Sequence, residues 1–313
     1  MAVSTSPVRT VAPAKPTSGR ARRRQHGQGR TGLLMVAPAG VLLVLFFVVP
    51  VALGFALSFT NARLISPKPL EFVGLDNFAR LLDDPVFWTS LRNTLLFAAV
   101  IVPAQSGFAL LLALLMNVKM RGTNLFRTLY FIPVVTSIVV VSILWRFMYQ
   151  PDGLVNSVLH WMTGNVVRID WLNDTSTALP AIMFMSVWQA VGFHMVIWLA
   201  GLQTIPAELY EAAEIDGAGR WHQFRYITWP GLRSTRTFIL VTITIAALSL
   251  FTQIHVMTGG GPLDATSTVV FQAVRVGYQQ QQTAYASAIS LVFFLLVLAI
   301  SLIQRRLTRE RNA

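Results

Sequence analysis

Long apolar runs alternate with short polar connections along this chain. The first run, Leu33 to Phe59, holds 27 residues without a charge. Five more lie near Leu95 to Met116, Leu129 to Phe147, Leu179 to Leu202, Phe238 to Met257 and Ala284 to Ile303. Each approaches the ~20 residues that carry a helix across a bilayer core. None shows the alternation of a barrel strand, and backbone polar groups in lipid have to be paired within their own segment. The pattern predicts an all-α membrane protein of six transmembrane helices. The first run is too long for the core of a signal peptide and reads as an uncleaved span.

Charge refines the picture. Of 313 residues, 54% are hydrophobic and 12% charged, where soluble chains carry about 25% charged residues. The net charge of +12 would suit nucleic acid, but its placement follows topology instead. With the N-terminus inside, 18 of the 25 Lys and Arg residues fall on the inner side: in the first 32 residues, beside the second and third runs, between the fourth and fifth, and after the sixth. Arg63, Lys68, Arg80, Arg92, Arg146, Arg168 and Arg275 fall on the other. This asymmetry is the positive-inside pattern. It predicts cytoplasmic termini and a bilayer, not a nucleic acid, as the partner. Residues 1–32 are rich in Pro, Ser, Thr, Ala and Arg without apolar periodicity and read as a disordered basic cytoplasmic tail. Residues 33–306 form the six-span domain, and 307–313 a short basic cytoplasmic tail.

One connection has a pattern of its own: TIPAELYEAAEIDGAGRWHQFRYITWP, Thr204 to Pro230. Pro206 suits a first helical turn, where its missing amide is not needed. Glu208, Glu211 and Glu214 share one helix face, the first two early enough to meet the positive end of the helix dipole. Gly217 and Gly219 break the helix, a second run begins at Arg220 with Trp221, Phe224 and Ile227 as an apolar edge, and Pro230 ends it. The stretch resembles the EAA loop of the membrane subunits of binding-protein-dependent ABC importers. The matching residues are Glu211, Ala212 and Ala213, then Asp216, Gly217 and Ala218, then Phe224, Ile227 and Pro230; Trp229 stands where the family usually has leucine. The segments Phe72–Leu95, Phe126–Asn156 and Met257–Pro262 are similar to sugar and glycerophosphate permeases of that class, and the likeness extends from Leu33 to Arg306.

The resemblance implies a maltose-type permease fold, the first of two dissimilar permeases of a carbohydrate importer in a bacterial plasma membrane. It implies a second homologous permease, two ATP-binding subunits and an extracytoplasmic solute-binding protein or lipoprotein as partners. The Glu211–Ala218 stretch would be the coupling helix that enters a groove on the ATPase. Glycerol-3-phosphate or a glycerophosphodiester is the alternative solute.

Several chemistries are absent. There is no cysteine, no HExxH and no GxSxG, and none of Lys15, Lys68 and Lys119 follows a glycine as a phosphate-binding loop requires. Catalysis is not expected here, and no cofactor; ATP and magnesium would belong to the partner. Gly259–Gly261 read as a flexible, tightly turning outer loop. Ionisable groups are scarce in the runs, against the alternative of an ion-driven secondary transporter. For the solute, Trp188, Gln189, Phe193 and His194 offer aromatic faces and hydrogen bonds within two turns. By resemblance to the maltose-type permease, Gln189, Ala190 and Phe193 align with solute-contacting positions, as do Ala246, Ala247 and Leu250, which are less polar than the asparagines of that relative. A second reading of Gln189 and His194, as hydrogen bonds between neighbouring helices, stays open.

Overall fold

The computed structural model describes residues 35–65, 69–117, 122–164 and 168–308. The tail over 1–32 and residues 309–313 of the short C-terminal tail lie outside the described residues. The chain divides into two units, residues up to Leu53 and residues from Gly54. Helix α1 (Met35–Leu57) supplies the described part of the first. It contains one wider turn at Val44–Val48, where the Val49 amide reaches back to the Val44 carbonyl.

The second unit is helical, with one isolated bridge between Thr60 and Phe72 among its described residues. Helix α2 (Asp76–Asp83) leads into α3 (Pro85–Met116). The start of α3 is set by Asp84, whose carboxylate accepts from the amides of Val86 (2.8 Å) and Phe87 (3.3 Å). Pro85 occupies the first turn, where no amide is needed. The helix therefore begins ten residues before the apolar run at Leu95. At ~48 Å it outreaches the bilayer core.

The third predicted span is broken. Helices α4 (Thr123–Val135) and α5 (Ile138–Met148) meet at Thr136 and Ser137, both with extended ψ, and the two arms are bent by 98°. Pro133 withholds an amide, and the β-branched run Val134–Thr136 is poor helical material. Two of the carbonyls freed at the break are taken up: Thr136 donates its hydroxyl to Ile132 (3.0 Å), and Gln189 donates its amide to Pro133 (3.4 Å).

A short helix, α6 (Leu154–Thr163), precedes α7 (Ala178–Leu202). Helix α8 (Ala207–Ile215) and a second run, α9 (220–231), form the patterned connection. Then come α10 (Arg233–Leu248), α11 (Thr252–Met257), α12 (Val269–Val274) and α13 (Thr283–Thr308). Among the described residues, five stretches are long and apolar enough to cross a membrane, counting α10 with α11, and the bent pair makes a sixth. The core lies where α3 and α7 pack together with α4 and α10, around Phe97, Ile101, Ile182, Met195, Trp198 and Ile243. Gly192 of α7 lets the backbone of α4 cross directly; a side chain there would strike the Tyr130 carbonyl.

The ends of the spans sort themselves. The Tyr149 hydroxyl, just past α5, donates to the Ala181 carbonyl at the start of α7 (3.0 Å). Near the start of α3, Asn93 donates to the carbonyls of Asp264 (3.1 Å) and Ser267 (3.0 Å), beyond α11. At the far end of α7, Gly201 lies directly against Thr235 of α10. The chain between α3 and α7 has to cross once, so the bent pair counts as a span.

The glycine loop turns tightly as expected, with Gly259 and Gly260 at φ +60° and +88°. It is not slack. Thr266, Ser267 and Thr268, which follow, are fully buried. Ser90 donates to the Ser267 hydroxyl (2.9 Å), Thr268 to the Leu250 carbonyl (2.8 Å), and the Val269 amide to the Thr94 hydroxyl (3.0 Å). Hydroxyls, not the glycines, decide how firmly this loop is held. Thr94→Val leaves a buried amide without its acceptor, which costs ~1–3 kcal/mol. The apparent melting temperature in detergent should fall by several degrees, whereas Thr89→Val, a half-buried position whose hydroxyl bonds only the Pro85 carbonyl of its own helix, should leave it nearly unchanged; equal melting of both variants would refute the clamp.

Candidate functional site

The connection between α7 and α10 is built as a helix, a turn and a second helix. Pro206 stands one position before α8, not within its first turn, and of the three glutamates only Glu208 lies in that turn. Glu208, Glu211, Ala212 and Glu214 are exposed, with Ile215 at 87%. The end of α8 is closed by its own backbone. The Gly217 amide bonds the Glu214 carbonyl (3.0 Å) and the Ala218 amide bonds the Ala213 carbonyl (2.8 Å). That paired closure needs a left-handed residue at the turn, and Gly217 sits at φ +75°. Gly219 is extended and starts the next run at Arg220.

Pro230 does not end that run. A widened turn over Phe224–Thr228, in which the Trp229 amide reaches back to Phe224, precedes it, and the helix continues to Gly231. The wider turn absorbs the proline's missing amide and its ring. Trp221, expected on an apolar edge, is 70% exposed and stacks on Phe224 at 5.8 Å. The two halves are joined by Tyr210, whose hydroxyl lies 2.9 Å from that of Thr228. The Arg236 guanidinium covers the Trp229 ring at 4.5 Å, tying the loop to α10. Sequence reasoning missed these two links; a tyrosine one residue before Glu211, and an arginine seven after Trp229, were the available signals.

The residues aligned with a solute path are not gathered at one place. On α7, Gln189 is half-buried and holds the Pro133 carbonyl, Ala190 accepts from or faces His194 Nδ1 through its carbonyl (3.1 Å), and Phe193 is 44% exposed. His194 is buried, with Nδ1 2.9 Å from the Gln105 amide of α3. Gln105 was missed, although it is a lone amide in an apolar run. Ala247 and Leu250 are buried in the core, while Ala246 is exposed. Gln189 and Phe193 lie on one stripe that continues to Val196. There a groove of about 650 Å³ opens, lined by Arg127, Thr128, Phe131, Ile132, Val135 and Thr136 of the α4 arm and its break. Gln189 and His194 thus do make interhelical hydrogen bonds, and Phe193, the most exposed of the aligned side chains of α7, meets the His194 ring edge-on at 5.2 Å.

Apolar spans with an exposed, self-closed polar helix between the fourth and fifth describe a membrane protein with a surface left open on that connection. The chain belongs to the family of binding-protein-dependent transport system inner membrane components, whose model matches residues 105–312. It is 37% identical to the lactose transport system permease protein LacF of Rhizobium radiobacter, over 90% of this chain and 95% of that one. It is 34% identical to the trehalose/maltose transport system permease protein MalF of Thermococcus litoralis, over 92% and 97%. Among solved structures, a bacterial ABC transporter involved in the import of the acidic polysaccharide alginate superposes with a TM-score of 0.80, at 25% identity, over 93% of this chain and all of the matched chain.

Proposed function

We propose that the chain is one permease of an ABC importer for a sugar, a di- or oligosaccharide, moved by alternating access. It pairs with a second homologous permease above two ATP-binding subunits, which hold ATP and magnesium, and an extracytoplasmic solute-binding protein delivers the solute. The observation that carries this reading is helix α8: an exposed, glutamate-bearing helix, closed by its own turn and joined at both ends to spans of the core. An ATPase groove that took α8 would move α7 and α10 together. The relatives named for lactose and for trehalose and maltose support a sugar as the solute. Reliance on a partner's ATP leaves no need for the intramembrane acids and bases of an ion-driven carrier.

Glu211 and Gly217 are proposed to transmit the ATPase stroke. A β-branched side chain at the left-handed Gly217 is strained by about 1–2 kcal/mol or more, so Gly217→Val should misdirect α9 and abolish uptake with all spans inserted. Glu211→Lys reverses a charge in the ATPase groove and should uncouple hydrolysis from uptake. Uptake and ATP hydrolysis by the reconstituted complex, with a solute-binding protein that still holds its ligand, measure both. Normal coupled transport by the two variants would reduce the loop to a connector.

Phe193, with Gln189 beside it, is proposed to line the solute path. Phe193→Ala should lower uptake several-fold at unchanged melting temperature. Gln189→Ala should lower uptake by a similar factor, as loss of one neutral hydrogen bond (~0.5–1.5 kcal/mol) allows, and should lower melting too because the Pro133 carbonyl is orphaned. Unchanged solute dependence in both would move the site to the second permease.

The proposed orientation puts Glu211 and both termini in the cytoplasm and the glycine loop outside. Because the chain has no cysteine, single replacements report it cleanly. Leu263, 91% exposed, is the better outer position than its neighbour Asp264, which is ion-paired with Arg275 at 2.7 Å. An impermeant thiol reagent on intact cells should label Leu263→Cys and not Glu211→Cys; the opposite result would invert the topology.

A further inference from the structure

We propose that helix α6 is a membrane-surface anchor, lying in the lipid headgroup layer on the side opposite the α8 connection, with Leu154, Val158, Trp161 and Met162 in lipid. These residues are spaced by four, three and one, so they share one helix face. They are 58%, 45%, 84% and 69% exposed, although Trp and Met at such positions would ordinarily be covered. Neither the transport chemistry nor the coupling loop uses this face.

The depth of α6 is set by what its other face holds. Asn156, only 2% exposed, donates its amide to the carbonyls of Ile169 (2.8 Å) and Pro151 (3.0 Å), with a longer contact to Gln150 (3.3 Å). Its carbonyl oxygen accepts from the Trp171 indole (3.0 Å). The Thr177 hydroxyl donates to the Trp171 carbonyl (2.8 Å), which carries the link to the residue before α7. At the near end, Gly153 lies against the carbonyls of Phe147 and Met148, the last turn of α5. Helix α6 is therefore bolted to the points where two spans leave the bilayer.

That position commits the exposed face to lipid. The exposed apolar surface of the spans continues into it: Leu144 and Phe147 of α5 are 51% and 62% exposed, and Phe184 and Trp188 of α7 are 62% and 40% exposed. A tryptophan among aliphatic residues at headgroup level is the side chain that such a layer takes up, ring in the acyl boundary and N–H toward water. The polar groups nearby, Ser157 and the open Arg168–Asp152 pair (3.9 Å), are exposed to solvent or headgroups. The short α5 arm, ~16 Å long by helical rise, would be held at a constant level by this anchor.

The test uses the whole importer in lipid nanodiscs. The fluorophore NBD is attached to Trp161→Cys, to Val158→Cys on the same stripe, and to Thr175→Cys, an exposed polar position in the same connection. Phosphatidylcholine carrying a nitroxide high on its acyl chain is the quencher. Emission at 161 and 158 should be blue-shifted and fall roughly two-fold or more with quencher lipid, while 175 stays aqueous and unquenched. Water-like, unquenched emission at both stripe positions would overturn the proposal. So would a blue shift without lipid quenching, or one seen only after the solute-binding protein is added, because either would give the face to a protein.

Discussion

The bilayer core offers no water to a backbone carbonyl or amide, and the two interrupted spans of this structure are arranged around that fact. Where the third span breaks at Thr136, two of its freed carbonyls are met by side chains, one from the break itself and one, Gln189, from the neighbouring helix. Where the fifth span breaks after Leu248, the Leu250 carbonyl is met by Thr268 from the loop beyond. At these two interruptions, then, hydroxyl and amide side chains take the place of the missing backbone partners.

The connection between α7 and α10 meets the same requirement by other means. It lies between spans, so its glutamates can stay exposed. Its helix end is still closed by backbone alone, through the left-handed Gly217. The closure needs no neighbouring side chain, so the exposed surface of α8 remains available for a partner. Its internal link, to Thr228, is made by the half-buried Tyr210, one residue before the exposed Glu211.

Much of this was legible in the sequence and some was not, for identifiable reasons. Apolar run length revealed the spans, and the glycine pair after Asp216 revealed the turn, because both depend on local chemistry. The break in the third span was hidden because hydropathy does not distinguish a continuous helix from two short ones; Pro133 followed by Val-Val-Thr was the clue. Pro230 misled for the opposite reason: a widened turn before it lets the helix go on. The firmness of the glycine loop could not be read locally, since Ser90, Asn93 and Thr94 lie more than 160 residues away in sequence. Of the aligned solute residues, which ones stand free depends on helix rotation in the bundle, and apolar spans carry little pattern to reveal that.

The two broken spans also touch: α11, beyond the break in the fifth, packs on α5, beyond the break in the third. Helices α3, α7 and α13 have no such joints. Among the described residues, three uninterrupted helices, α3, α7 and α13, thus stand beside two interrupted spans. The two interruptions differ in kind: the one at Thr136–Ser137 turns the chain by 98°, whereas the one at Ser249–Phe251 leaves Arg233–Met257 a single span.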